Sequence, residues 1–257
     1  MSQRQRFSLA LAVGAVALLG QTVEAPWVSR ELVFRHADTA QQFRQAAAIV
    51  RVVTELPEVS VLETAGRLRL RGPEARMEAA EWLFGQLDRP LEREARAESE
   101  GHVLRDVRGD SKLVRVFRLA RAGKPGRLDA LAGMVRMVGA GEWALVHSSP
   151  PSIVMRGTEH ELELGSFLLG ELDRGPGEGA ASASEFKLQE KGTAFAVRVM
   201  LLRAMPHEEL RQAEEEMRKA GKAWVALDAE LPALVVKGWP ELMEAGQQKL
   251  RERGWLR

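Results

Sequence analysis

Residues 68–90 read LRLRGPEARMEAAEWLFGQLDRP. Leu68 and Leu70 alternate with Arg67, Arg69 and Arg71, the period of two that marks a half-buried strand. Gly72 ends the alternation, where a residue lacking Cβ permits a sharp turn. From there Ala79, Trp82, Leu83 and Leu87 fall on one helical face, and the stretch closes on Leu87-Asp88-Arg89. The reading is strand, glycine, amphipathic helix.

The same pattern returns at residues 153–174, IVMRGTEHELELGSFLLGELDR, with Gly157 and Leu172-Asp173-Arg174 in the matching places. A third copy, LVVKGWPELMEAGQQKLRERGWL at 234–256, keeps Gly238 but carries Arg253-Gly254 where the others have Leu-Asp. The three glycines are 85 and 81 residues apart, so internal repetition governs the fold. Upstream of each lies a β-branched opening strand, as in Val114, Val116, Val197 and Val199. A helix follows, with Phe43, Ala47 and Val50 on one face, then Leu128, Leu131, Val135 and Val138, then Leu210, Ala213 and Met217. A hairpin turns at Ala65-Gly66, Ser149-Pro150-Pro151 or Leu231-Pro232.

The expected fold class is therefore α+β: three tandem βαββα units, each a small three-stranded sheet with two helices on one face. The boundaries are 30–90 for the first unit, 113–174 for the second and 185–257 for the divergent third. Residues 91–112 read as a charged linker, and 175–184, GPGEGAASAS at 175–184, as a flexible one. Units this small bury limited cores, so the expected picture is a string of beads whose neighbours lean on one another.

Residues 1–25 read as a signal peptide: Arg4 and Arg6, the apolar run FSLALAVGAVALLG from Phe7 to Gly20, and Val23 and Ala25 at an A-x-A-like cleavage site. The run is too short to span a bilayer of about 30 Å as a helix. Pro26 would follow the cut, a disfavoured place for proline, so the alternative is an uncleaved anchor. Export is expected either way, to the periplasm or beyond, with no membrane span past this segment. Lys and Arg total 37 against 36 Asp and Glu. Loss of residues 1–25 removes Arg4, Arg6 and Glu24 and leaves the remainder neutral, which argues against nucleic acid as a partner. The basic Gly123-Lys124-Pro125-Gly126 loop has no counterpart in the other units. Cysteine is absent, which excludes disulfides, thiolate nucleophiles and Cys-bound zinc.

No constellation of catalytic residues emerges. His207-Glu-Glu-Leu and His160-Glu-Leu-Glu open like zincin helices, but Arg211 and Leu164 occupy the second-ligand positions. There is no Gly-x-Ser-x-Gly elbow, and Gly175-Pro-Gly-Glu-Gly lacks the Lys-Ser/Thr ending of a phosphate loop. No metal, no cofactor and no enzymatic activity are expected. Two features suggest docking. Arg71, Arg156 and Lys237 each precede the repeated glycine and offer a cation at the same corner to an acidic partner. Trp239 and Trp255 lie in the divergent unit, where partial exposure would make a partner face.

The strand–Gly–helix–Leu-Asp pattern at 68–90 and 153–174 resembles the short periplasmic N-terminal domains of bacterial secretins. The resemblance implies βαββα modules that pack against copies of themselves or dock a partner in the envelope. The sequence given ends at Arg257 after the third unit, so modules without the secretin pore domain are expected. The functional expectation is a non-enzymatic envelope interaction or assembly module, docking to itself or to a larger complex. The alternative is a periplasmic binding protein or enzyme for a small molecule or glycan, using a cleft between units.

Overall fold

A computed structural model describes residues 26–90, 99–121, 126–141, 143–174, 182–190, 193–220, 224–228 and 230–257. The predicted signal peptide therefore lies outside the described residues, as do most of the Gly123–Gly126 loop and the start of each predicted linker. The first unit comprises β1 (Trp27–Val33), α1 (Ala40–Thr54), β2 (Glu58–Leu62), β3 (Arg67–Pro73) and α2 (Glu74–Leu87). The second comprises β4 (Ser99–Val103), β5 (Leu113–Arg118), α3 (Arg127–Val138), β6 (Trp143–Ser148), β7 (Pro151–Gly157) and α4 (Glu159–Leu172). The third comprises β8 (Ala183–Glu190), β9 (Thr193–Leu201), α5 (His207–Ala220), β10 (Trp224–Asp228), β11 (Ala233–Gly238) and α6 (Pro240–Glu252).

The fold is α+β with repeated units. The sheets run β1-β3-β2, β4-β5-β7-β6 and β8-β9-β11-β10, every pairing antiparallel. Two sheets thus carry a fourth strand. Of the additional strands, β4 lies within the segment read as a charged linker, and β8 begins at the end of the one read as flexible and runs into the third unit; alternation over a short, mostly polar run such as SEGHV is too weak to announce a strand.

The units are not beads on a string. Alternate residues of each strand point to opposite faces, and both faces of the second and third sheets are buried. In β7, Ile153 and Met155 join a core with α3 and α4, whereas Val154 joins α1, α2 and the first sheet. In the third sheet Met200, Leu234 and Val236 pack under α5 and α6, while Val197, Val199 and Val235 share the core of α3 and α4. The layers therefore run sheet, helices, sheet, helices, sheet, helices, and each internal helix pair is buried from both sides.

Repeated motifs explain the repeated residues. Asp88 accepts from the backbone N–H groups of Arg35, His36 and Ala37 at 2.6, 3.0 and 2.9 Å, and Asp173 from those of Ala120 and Arg121 at 2.8 and 2.9 Å. Each carboxylate pins the turn after the opening strand to the end of the closing helix. In the third unit, where Gly254 stands in that place, the equivalent Arg203 N–H bonds the Trp255 carbonyl at 2.9 Å. Burial pushes the Asp173 carboxyl up, against the pull of the two N–H donors and the nearby Arg127. Arg30, Arg115 and Arg198 occupy one position in their opening strands, and each reaches its own closing helix, at Glu81, Ser166 and Gln247.

The repeated glycine has a different reason from the one expected. Gly72 and Gly157 need no left-handed backbone; they need space. A Cβ on Gly72 would lie 2.7 Å from Leu56 Cδ2, and one on Gly157 would lie 2.7 Å from Glu161 Oε2. That Glu161 carboxylate completes a capping box with Thr158 at the start of α4.

Candidate interaction surfaces

The three cations do stand at equivalent corners, but two of them are used inside the molecule. Arg156 is 3% exposed. Its guanidinium donates to the carbonyls of Ser111, Arg108 and, across the first junction, Val53, at 2.8, 3.1 and 3.1 Å. It also lies 2.8 Å from the Glu55 carboxylate. Lys237 reaches across the second junction to the Val138 carbonyl at 3.1 Å. Val53 and Val138 are each 19 residues before the glycine of their own unit, so one contact occurs twice. A cation on the face of one sheet caps the C-terminus of the preceding unit's first helix, where the dipole is negative. Arg71 belongs to the first sheet, which has no unit before it among the described residues. It is exposed, pairs with Glu58 at 2.9 Å and lies over the Trp27 ring, 5.4 Å from its centroid.

Further contacts cement the junctions. Gln45 on α1 donates to the Val146 carbonyl at 3.0 Å and accepts from Ser148 at 2.7 Å. Arg127 on α3 holds Asp228 on the third sheet at 3.0 Å, both side chains being buried. The Trp82 ring of α2 stacks on His102 of β4, with centroids 5.0 Å apart. Phe167 of α4 meets Phe186 of β8 at 5.6 Å, in the equivalent place.

At the two ends the same positions turn polar. Val154 and Val235 of the buried sheet faces correspond to Arg69 of the first sheet, and Val116 and Val199 to Glu31. Glu31 bridges Arg67 and Arg69 at 3.2 and 2.8 Å, and those hydrogen bonds hold its carboxyl below the usual range. At the other end, the outward side of α5 carries the exposed Glu215 and Lys219, where α1 and α3 bury Ile49 and Met134 against the next sheet. Both outward faces of the described stack thus carry charge, as solvent-facing ends of a repeat array do.

The tryptophans divide. Trp239 is 38% exposed and packs on Phe195, centroids 4.6 Å apart. Trp255 is not a surface residue: it is 6% exposed, lies in the core of the third unit and has Arg253 over its ring. The chain end folds back there, with Leu256 bridging Leu202, which a helix pattern running to Glu252 does not reveal. A half-open groove of about 500 Å³ lies where α2 meets the second unit, with Glu78, His102, Arg105 and Arg115 among its lining. Glu78 faces Arg105 at 3.9 Å, and Arg115 is bound to Ser166 at 2.8 Å. Among the described residues no group of three His, Cys, Asp or Glu could hold a metal, and no helix is long and apolar enough to cross a membrane.

His147, on the buried face of β6, also belongs to the first junction. Burial lowers its pKa to about 4, against the pull of the Pro150 carbonyl and the Asp88 charge. The unfolded imidazole titrates near 6.5, so below that pH the unfolded chain binds the proton first. Stability is complete above about pH 6.5 and falls as pH drops towards 4, by about 3 kcal/mol for this group. In denaturant melts between pH 7 and 4, His147→Gln is expected to abolish most of that slope; an unchanged slope contradicts the assignment.

Sequence reasoning located the junction cations but not their acceptors, because the Val53 and Val138 contacts are between units. The signal available was the hydrophobicity of the two sheet faces: Val154 and Val235 are apolar where Arg69 is charged.

No family model matches the chain, and no curated protein matches it. Among solved structures it is similar to the ETEC pilotin–secretin AspS–GspD complex, at 14% identity and a TM-score of 0.21, over 90% of this chain and 38% of that one. It is similar to Aeromonas hydrophila ExeD at 14% identity and a TM-score of 0.20, over 88% of this chain and 40% of that one. The chain spans about two fifths of the length of these matches, and TM-scores this low do not establish a shared fold.

Proposed function

We propose that this chain is a non-enzymatic interaction module of the bacterial cell envelope, docking to a larger complex rather than polymerising through its own stack. The observation that carries the reading is the contrast between junctions and ends. Two junctions use one repeated arrangement of valines, a cation and a helix C-terminus, whereas both terminal faces carry charge in those places. Burying Glu31, Arg67 and Arg69 against Glu215 and Lys219 would desolvate charges for little gain. The surface left for a partner is the β1 edge of the first sheet.

The test uses the full chain in cells, with a photoreactive side chain replacing Trp27, followed by fractionation. Export and a discrete, heavier crosslinked species of fixed stoichiometry are expected. Retention in the cytoplasm, or a ladder of self-adducts, contradicts the proposal.

A further inference from the structure

In the second and third sheets the opening strand is flanked on its outer side by β4 or β8; in the first sheet the place beside β1 is empty among the described residues. The Pro26 carbonyl accepts from Glu74 N–H, and Phe34 N–H donates to the Gly66 carbonyl. Alternation along β1 therefore turns the backbone groups of even-numbered residues towards β3 and those of Trp27, Ser29, Glu31 and Val33 towards the empty place. This edge carries neither proline nor a bulge, and it is bracketed by the exposed apolar side chains of Trp27 and Val33, at 50% and 52%.

We infer that the β1 edge is a strand-addition site for an extended segment of a partner protein carrying a carboxylate followed by an aromatic residue. The inference rests on the reading of the chain as an interaction module and names the site and the partner's chemistry. The third sheet supplies the template. There Glu185 lies opposite Arg198 and bonds its guanidinium, and Phe186 lies opposite Val197. Arg198 corresponds to Arg30 and Val197 to Ser29. The Arg198 side chain is 11% exposed and Arg30 is 43% exposed, so Arg30 retains room for a carboxylate arriving in the vacant place. An aromatic ring opposite Ser29 would lie next to Trp27. The pairing would be antiparallel, as for β4 and β8, with main-chain hydrogen bonds giving affinity and these two side chains giving selectivity.

The probe is a synthetic peptide of the β8 sequence ASEFKLQ, titrated into isotopically labelled residues 26–257 and followed by amide shifts and exchange. Micromolar binding with protection of the Ser29 and Glu31 amides is expected. A peptide with Glu and Phe replaced by Ala is expected to bind at least tenfold more weakly. Ser29→Pro removes one outward N–H while leaving the bonds to β3, and is expected to abolish binding. A peptide N-methylated at alternate residues gives the same test without altering the protein. No shift at millimolar peptide, or shifts away from β1, overturns the inference, while the crosslinked species of the cellular test would still stand. Protection of the same amides in the free chain, through its own N-terminal segment or a β1–β1 dimer, overturns it too.

Discussion

Replacing Arg156 by Met is expected to destabilise the protein by about 3 kcal/mol, with Lys237→Met costing about 1 kcal/mol and Arg71→Met less than about 0.5 kcal/mol. The three residues look alike in sequence, and a common docking role would make their folding effects alike. Their settings differ. Arg156 satisfies three carbonyls and the Glu55 carboxylate at the junction, so its loss strands the buried Val53 carbonyl and breaks a network of part-buried charge-assisted bonds. The desolvation of Glu55 raises its pKa while Arg156, Arg108 and Arg76 together bring it below the ordinary carboxylate value, so the variant also leaves a less comfortable acid. Lys237 is only half-buried and bonds the Val138 carbonyl through a flexible ammonium rather than a rigid fork. Arg71 is more than half exposed, and its pair with Glu58 is screened by solvent. Urea melts of the three variants check the ranking. Equal effects would contradict the account of the junctions.

The second large effect is a reciprocal exchange. Val154→Arg is expected to cost more than about 4 kcal/mol, because a charge is forced between the second sheet and the α1 and α2 layer with no partner in place. Arg69→Val, the same exchange at the equivalent position of the first sheet, is expected to leave folding within about 1 kcal/mol of wild type. It would instead expose Glu31 beside a new apolar patch and promote dimerisation at high concentration, measured by light scattering. If both variants behave as surface changes, the two sheet faces are equivalent and the stack is not continuous.

These predictions mark what the sequence made legible. The alternation of Leu68 and Leu70 with arginines, and the helical spacing of Leu164, Leu168 and Leu172, specified strands and helices because each buries one face against its own unit. The Leu-Asp ending was visible as a repeat, but its cause, a carboxylate capping a turn some fifty residues earlier, was not. The strands β4 and β8 escaped because an edge strand of mixed polarity has no strong period. The assembly of units was the least legible, since Val154 and Ile153 side by side give a continuous apolar run whose two faces serve different cores. Arg156 and Lys237 stand out in the sequence by position alone; only the third dimension supplies Val53 and Val138 as their acceptors.

The central claim is that three units fold as one stack with shared cores. Native-state hydrogen exchange of residues 26–257 in increasing denaturant tests it directly, by comparing core amides of Val50, Val135 and Met200, one from each unit. Opening free energies that converge within about 1 kcal/mol on the global value are predicted. Three separate values, with the third unit opening well below the others, would mean independent beads and would contradict it.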